Sequence, residues 1–80
     1  MKFYEALKYL LTTSGSSKIA RKSWTSNTYL IKSKIIVNDQ DTKTTIPSID
    51  FVEIIGGTEH KCTFHANPNN MLAEDWYIVE

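Results

Sequence analysis

Arg21 and Trp24 stand three residues apart in "KIARKSWTSNT", residues 18–28, with Lys18 and Lys22 beside them and the polar Ser26, Asn27 and Thr28 following. A guanidinium forks onto phosphate, an indole offers a face for stacking, and hydroxyl or amide groups reach the hydroxyls of a sugar. Together these types could hold a nucleotide. The plainer reading puts Trp24 in the core and the cations in solvent, and from this segment alone it is the stronger one. A second stretch, "NNMLAEDWYIVE" at 69–80, joins an apolar pair, Met71-Leu72, to an acidic pair, Glu74-Asp75, and two aromatics, Trp76 and Tyr77. Adjacent acids usually diverge in direction, so Glu74 and Asp75 read as a solvated turn or cap before they read as a general acid and base. The two tryptophans could serve as bulk for a thin core or a subunit interface, but that does not explain the polar groups beside both.

"HKCTFH" raises metal chemistry through His60, Cys62 and His65. On a strand, residues 60, 62 and 64 share a face while 65 points the other way, and zinc needs three or four convergent ligands. Two ordinary strand histidines are the expectation, and no metal or cofactor is expected. Cys62 is the chain's single cysteine, which excludes an internal disulfide and suits a small buried hydrophobe in a reducing compartment. No "GxSxG", "HExxH" or phosphate-loop pattern supports an enzyme.

These groups need elements to carry them. Phe3, Ala6, Leu7, Leu10 and Leu11 recur at steps of three and four, which predicts a helix over about residues 2–13. "TSGSS" ends it, with Gly15 tolerating a left-handed cap. "KIARKSW" reads as a short strand with Ile19, Arg21 and Ser23 on one side. "TYLIKSKIIV" is a clear strand, "NDQDTK" a polar loop, and "IDFVEII" with "TEHKCTF" a hairpin turning at Gly56-Gly57. Glu53 is expected as an exposed position on an otherwise buried strand. "ANPNN" is a second turn, and "WYIVE" a last strand. The expected fold is α+β: one domain over residues 1–80, with an N-terminal helix packed on a small, curved, mainly antiparallel sheet of four to five strands.

Nine Lys and Arg balance nine Asp and Glu, so no overall field draws in a DNA or RNA polymer or an anionic membrane. No apolar run approaches the roughly twenty residues of a bilayer span, and the charges in "MKFYEALKYLL" do not suit a signal peptide. A cytoplasmic protein is expected. So short a chain has a thin core, which makes oligomerisation the default expectation.

Three pieces in order, "FYEALKYL", "ARKSW" and "MLAEDW", resemble the small phage and bacterial family called Thoeris anti-defence 2. The matching positions are Phe3, Glu5, Ala6 and Leu7; Arg21 and Trp24; and Met71, Leu72, Ala73, Asp75 and Trp76. Where the family commonly has glycine-lysine after the first tryptophan this chain has "TSNT", and Asn70 stands where many members have aspartate. The resemblance implies a non-enzymatic sponge that sequesters the cyclic ADP-ribose-type signal of Thoeris immunity, as a homotetramer with pockets between subunits. It also implies, as an alternative, cyclic oligonucleotide ligands; a separate reading makes the chain a module that inhibits a bacterial defence protein directly, with the aromatics as interface anchors. A signal nucleotide calls for a guanidinium, an aromatic face and a polar acceptor, and on this reading Arg21 is the phosphate fork and Trp24 the platform. Asn27 and Thr28 become polar contacts, while Asn70, Met71, Asp75 and Trp76 form pocket wall or ribose contacts.

Overall fold

The computed structural model describes residues 1–13 and 15–79. In chain order it has α1 (Phe3–Thr12), β1 (Lys18–Arg21), β2 (Thr28–Asp39), β3 (Thr42–Ile55), β4 (Thr58–Thr63), α2 (Pro68–Leu72) and β5 (Trp76–Val79). The five strands form one open antiparallel sheet in the order β4-β3-β2-β1-β5. The shortest strands therefore lie side by side. β1 is an inner strand next to the β5 edge, paired with β2 at Ile19↔Leu30 and with β5 along its length from Lys18↔Val79 to Arg21↔Trp76.

α1 is amphipathic, and its main-chain entry is closed by the Lys2 N–H donating to the Glu5 carboxylate at 2.9 Å. Ala6 and Leu10 are fully buried against Ile19, Leu30 and Trp76, with Phe3 and Tyr9 packed at the margin. Leu11, expected on the buried face, is 44% exposed. At about 100° per residue it has rotated past the face centred on Ala6 and Leu10, and Tyr9 fills the opposite margin. The helix ends at Thr13 in extended geometry, and Gly15, at φ +92°, turns the chain two residues further on instead of capping the helix itself.

The middle of the chain departs most from expectation. "NDQDTK" is not an open loop: Asn38↔Lys43 and Asp39↔Thr42 are paired, and only Gln40 and Asp41 form the turn, with Gln40 at φ +54°. β2 and β3 are consequently long, and β3 runs through Pro47. Along "IDFVEII" only Val52 is fully buried, and Glu53, expected to be exposed, is half-buried like Phe51 and Ile54, because β3 is flanked there by β2 and β4. The hairpin at Gly56-Gly57 has both glycines at positive φ, +59° and +79°, the geometry its two-residue turn demands. "ANPNN" opens a short helix: the Asn67 carboxamide caps it by accepting from the Asn70 N–H at 2.9 Å, and Pro68 takes the first helical position, where a missing N–H costs nothing. No helix is long and apolar enough to cross a membrane among the described residues.

Candidate functional site

β1 ends at Arg21, and the chain turns over Lys22 and Ser23 to deliver Trp24, whose N–H returns to the Arg21 carbonyl at 3.0 Å. Directly alongside, the chain entering β5 places Asp75 opposite this turn. Asp75 holds it at three points. One carboxylate oxygen accepts from Arg21 Nε at 2.9 Å, the other from the Ser23 N–H at 3.2 Å, and the Asp75 carbonyl accepts from the Lys22 N–H at 3.0 Å. The Arg21 hydrogen bond, foremost, holds the Asp75 carboxyl below its ordinary range, with the cation's charge and the Ser23 N–H acting in the same direction. Asp75 is therefore an anion at neutral pH. Its carboxylate is a clasp for the β1 turn.

Arg21 has a second partner in the Asn70 side-chain oxygen, 3.3 Å from Nη1. Asn70 is itself fixed on both sides, by the Asn67 cap on its N–H and by its carbonyl, which accepts from the Trp76 indole N–H at 3.0 Å. A guanidinium carries five N–H donors. Among the described residues two of them are engaged, which leaves three for a ligand.

Arg21 and Asn70 form one side of an open cleft of about 440 Å³; Trp24, Phe51 and Phe64 form its aromatic part, and Cys62, Thr63, His65, Asn67 and Asn69 complete it. The aromatics brace one another. Trp24 meets Phe51 edge-on at 5.5 Å, Phe64 at 6.5 Å and Trp76 at 5.2 Å. Such contacts fix the ring planes at little entropic cost on binding, because the rotamers are set before a ligand arrives. The cleft thus combines an oriented cation, rigid aromatic surface and several carboxamides, which is the equipment for a flat ring linked to an anionic group. Among the described residues no group of three or more His, Cys, Asp or Glu is placed to hold a metal ion.

Of the residues singled out from the sequence, Arg21, Trp24 and Asn70 line this cleft, and Asp75 acts one step behind it through Arg21. Trp24 satisfies both of its readings at once, half-buried against the core and lining the cleft. Trp76 does not touch it. At 1% exposure it is a core residue, tilted against Phe3 at 5.1 Å, and it reaches the cleft indirectly, through its hydrogen bond to Asn70 and its edge-on contact with Trp24. Thr28 is buried, with its hydroxyl 3.0 Å from that of Thr25, and the Asn27 carbonyl accepts from the Ile54 N–H. Both belong to the turn entering β2 and do not line the cleft. Met71 is exposed on the far side of α2, in a separate groove with Lys2, Tyr4, Leu72, Ala73 and Glu74.

Phe51, Phe64, His65, Asn67 and Asn69 line the cleft without having been assigned to it from the sequence. The pairings Ile19↔Leu30, Leu30↔Phe51 and Phe51↔Cys62 put β3 and β4 residues on the same sheet face as Arg21; the Gly56-Gly57 turn sets the last of these, but no local pattern reveals the register of β1 against β2. The Asn-Pro pair was a readable helix start, which would have turned Asn69 and Asn70 toward β1.

A search of the curated proteins finds no match. A family model described as the Thoeris anti-defense 2-like domain matches residues 1–79.

Proposed function

From the premise that the chain belongs to the Thoeris anti-defense 2-like family, we propose that it is an anti-defence sponge, which binds a cyclic ADP-ribose-type signalling nucleotide in the host cytoplasm and withholds it uncleaved. The observation that carries this reading is the Arg21 guanidinium, held at Nε by Asp75 and at Nη1 by Asn70, beside the aromatic surface of Trp24, Phe51 and Phe64. Its uncommitted N–H groups face a pyrophosphate, Trp24 faces the purine, and Asn67, Asn69 and Asn70 meet ribose hydroxyls. A sponge competes with the effector for a scarce signal and must bind tightly. Side chains fixed in advance by hydrogen bonds and ring packing lower the ordering cost of doing so. In this reading the protein is not an enzyme, and it assembles as the homotetramer that the family resemblance implies.

Isothermal titration with a cyclic ADP-ribose isomer, followed by heating the complex and identifying what is released, tests the proposal. The expected outcome is tight binding and recovery of unaltered ligand. Altered ligand would make the protein a signal-degrading enzyme, and no heat with any isomer would move the assignment to a cyclic oligonucleotide or a protein partner. Trp24→Ala removes the stacking face and should weaken binding roughly 5- to 150-fold, the span of one base–aromatic stack. Unchanged affinity would remove Trp24 from the site.

A further inference from the structure

Three asparagines stand at the α2 end of the Arg21 cleft, and two of them have their side-chain oxygens engaged. The Asn67 oxygen takes the Asn70 N–H at 2.9 Å, and the Asn70 oxygen takes Arg21 Nη1 at 3.3 Å. Each contact fixes the carboxamide the same way round, because turning the amide over would set its NH2 against an N–H donor. The group that each leaves free is therefore Nδ2, and among the described residues neither Nδ2 has a partner. Asn69 differs. Neither half of its carboxamide is engaged among the described residues, so it can both donate and accept.

Burial shows where the Asn70 amide points. Asn70 is 9% exposed, and among the described residues no fully buried side-chain nitrogen or oxygen lacks a partner. An unpaired Nδ2 on so enclosed a residue must then keep contact with solvent, and the cavity that Asn70 lines is the Arg21 cleft. Nδ2 shares its carbon with the oxygen bonded to Arg21, so the amide stands beside the guanidinium. No Asp or Glu lines the cleft, and both oxygens of Asp75 behind it are taken by Arg21 and Ser23. The free groups of this corner are therefore N–H donors, and a half-enclosed set of donors around a cation is met best by an oxygen-rich anion.

We propose that Asn67 and Asn70 are specificity-determining residues: with Arg21 they form a cradle of N–H groups that selects a phosphoryl group, and they reach a neighbouring ribose hydroxyl only as donors. The inference deepens the nucleotide reading above and rests on it for the class of ligand. The phosphoryl group has two sources with this shared chemistry, the pyrophosphate of a cyclic ADP-ribose isomer and the phosphodiester of a cyclic dinucleotide.

Asn67→Asp and Asn70→Asp test it, because each keeps the shape and the oxygen already in use and replaces the free NH2 by a second carboxylate oxygen. Asp caps a helix as well as Asn does, so Asn67→Asp leaves the α2 start intact, which its melting midpoint verifies. Calorimetry with a cyclic ADP-ribose isomer and with a cyclic dinucleotide should show one of them bound by the wild type, which identifies the source of the phosphoryl group. Its affinity should fall roughly 10- to 150-fold in each variant, the span of one hydrogen bond to a charged group. A bound nucleotide whose affinity is unchanged in either variant would overturn the cradle and leave the sponge reading standing. Inorganic pyrophosphate is a probe that needs no variant: in an NMR titration the side-chain NH2 signals of Asn67 and Asn70 should shift saturably while those of Asn27 and Asn38, outside the cleft, stay fixed. Such shifts without binding of either nucleotide would keep the cradle and sink the sponge reading, whereas fixed signals at Asn67 and Asn70 would overturn the cradle.

Discussion

At the scale of single residues the cleft is organised by a carboxylate that does not itself line it. Asp75 spends both oxygens on the β1 turn, so in the proposed function it acts on a ligand through the orientation of Arg21. Asp75→Asn retains the shape and loses the charge-assisted bond, and affinity for an anionic ligand should fall about tenfold, a change set by one such hydrogen bond. Calorimetry of the variant checks this, and an unchanged constant would show that Arg21 is held well enough by Asn70 alone. The pH dependence has a definite sign. Because the folded carboxyl titrates below its ordinary value of 3.8, its stabilisation is complete at neutral pH and is lost as pH falls through the lowered folded value. The stability difference between wild type and Asp75→Asn should therefore stay flat from pH 5 to 8 and shrink in strong acid, as urea unfolding at a series of pH values will show. Arg21 and Trp24 could be picked out as candidates because cation and indole announce their chemistry by type. Asp75 reads locally as a solvated turn and, by resemblance, as a ligand contact, and its clasp on Arg21 depends on a strand pairing no local pattern shows. Phe51 and Phe64 could not be picked out, since an aromatic in a strand looks the same whether it faces a cleft or a core.

At the scale of elements, the β1–β5 seam joins the core to the site. Trp76 fills the space beneath α1 and donates its indole N–H to the Asn70 carbonyl. Trp76→Phe keeps most of the apolar volume but leaves that carbonyl unpaired, at a cost of about 1–3 kcal/mol, whereas Trp76→Ala adds a cavity and costs about 3–5 kcal/mol. Chemical denaturation measures both, and a Trp76→Phe variant as stable as wild type would mean the hydrogen bond contributes nothing. Local sequence foretold α1 and the Gly56-Gly57 hairpin because both depend on near neighbours. It missed the tight turn at Gln40-Asp41, which lacks the glycine that usually marks one, and the strand through "TTIPS", where Pro47 argues against a ladder position. That proline is tolerated because β4 does not reach it and one side of β3 is free there.

At the scale of the whole molecule, the folded core is small: among the described residues seven hydrophobic ones are fully buried. Stability should therefore respond strongly to anything that binds only the native state. A ligand at one hundred times its dissociation constant adds about 2.7 kcal/mol, which for a domain of this size raises the melting midpoint by roughly 10 °C or more. Thermal scans at increasing cyclic ADP-ribose isomer concentration test this, and a fixed midpoint would exclude binding to the folded form.

The strand order also dictates when the site can come into being. The β2–β3 and β3–β4 hairpins need only sequence-local pairing, but Arg21 and Asp75 are 54 positions apart and meet only after β5 has docked beside β1. Hairpins close quickly, and contacts of long sequence separation close late. During synthesis the cleft therefore stays unformed until β5 has emerged, and a chain cut short before Asp75 lacks both the clasp on Arg21 and the Trp76 filling of its core. The seam should accordingly be weakly structured in the folding transition state, so that substitutions at Trp76 speed unfolding far more than they slow folding.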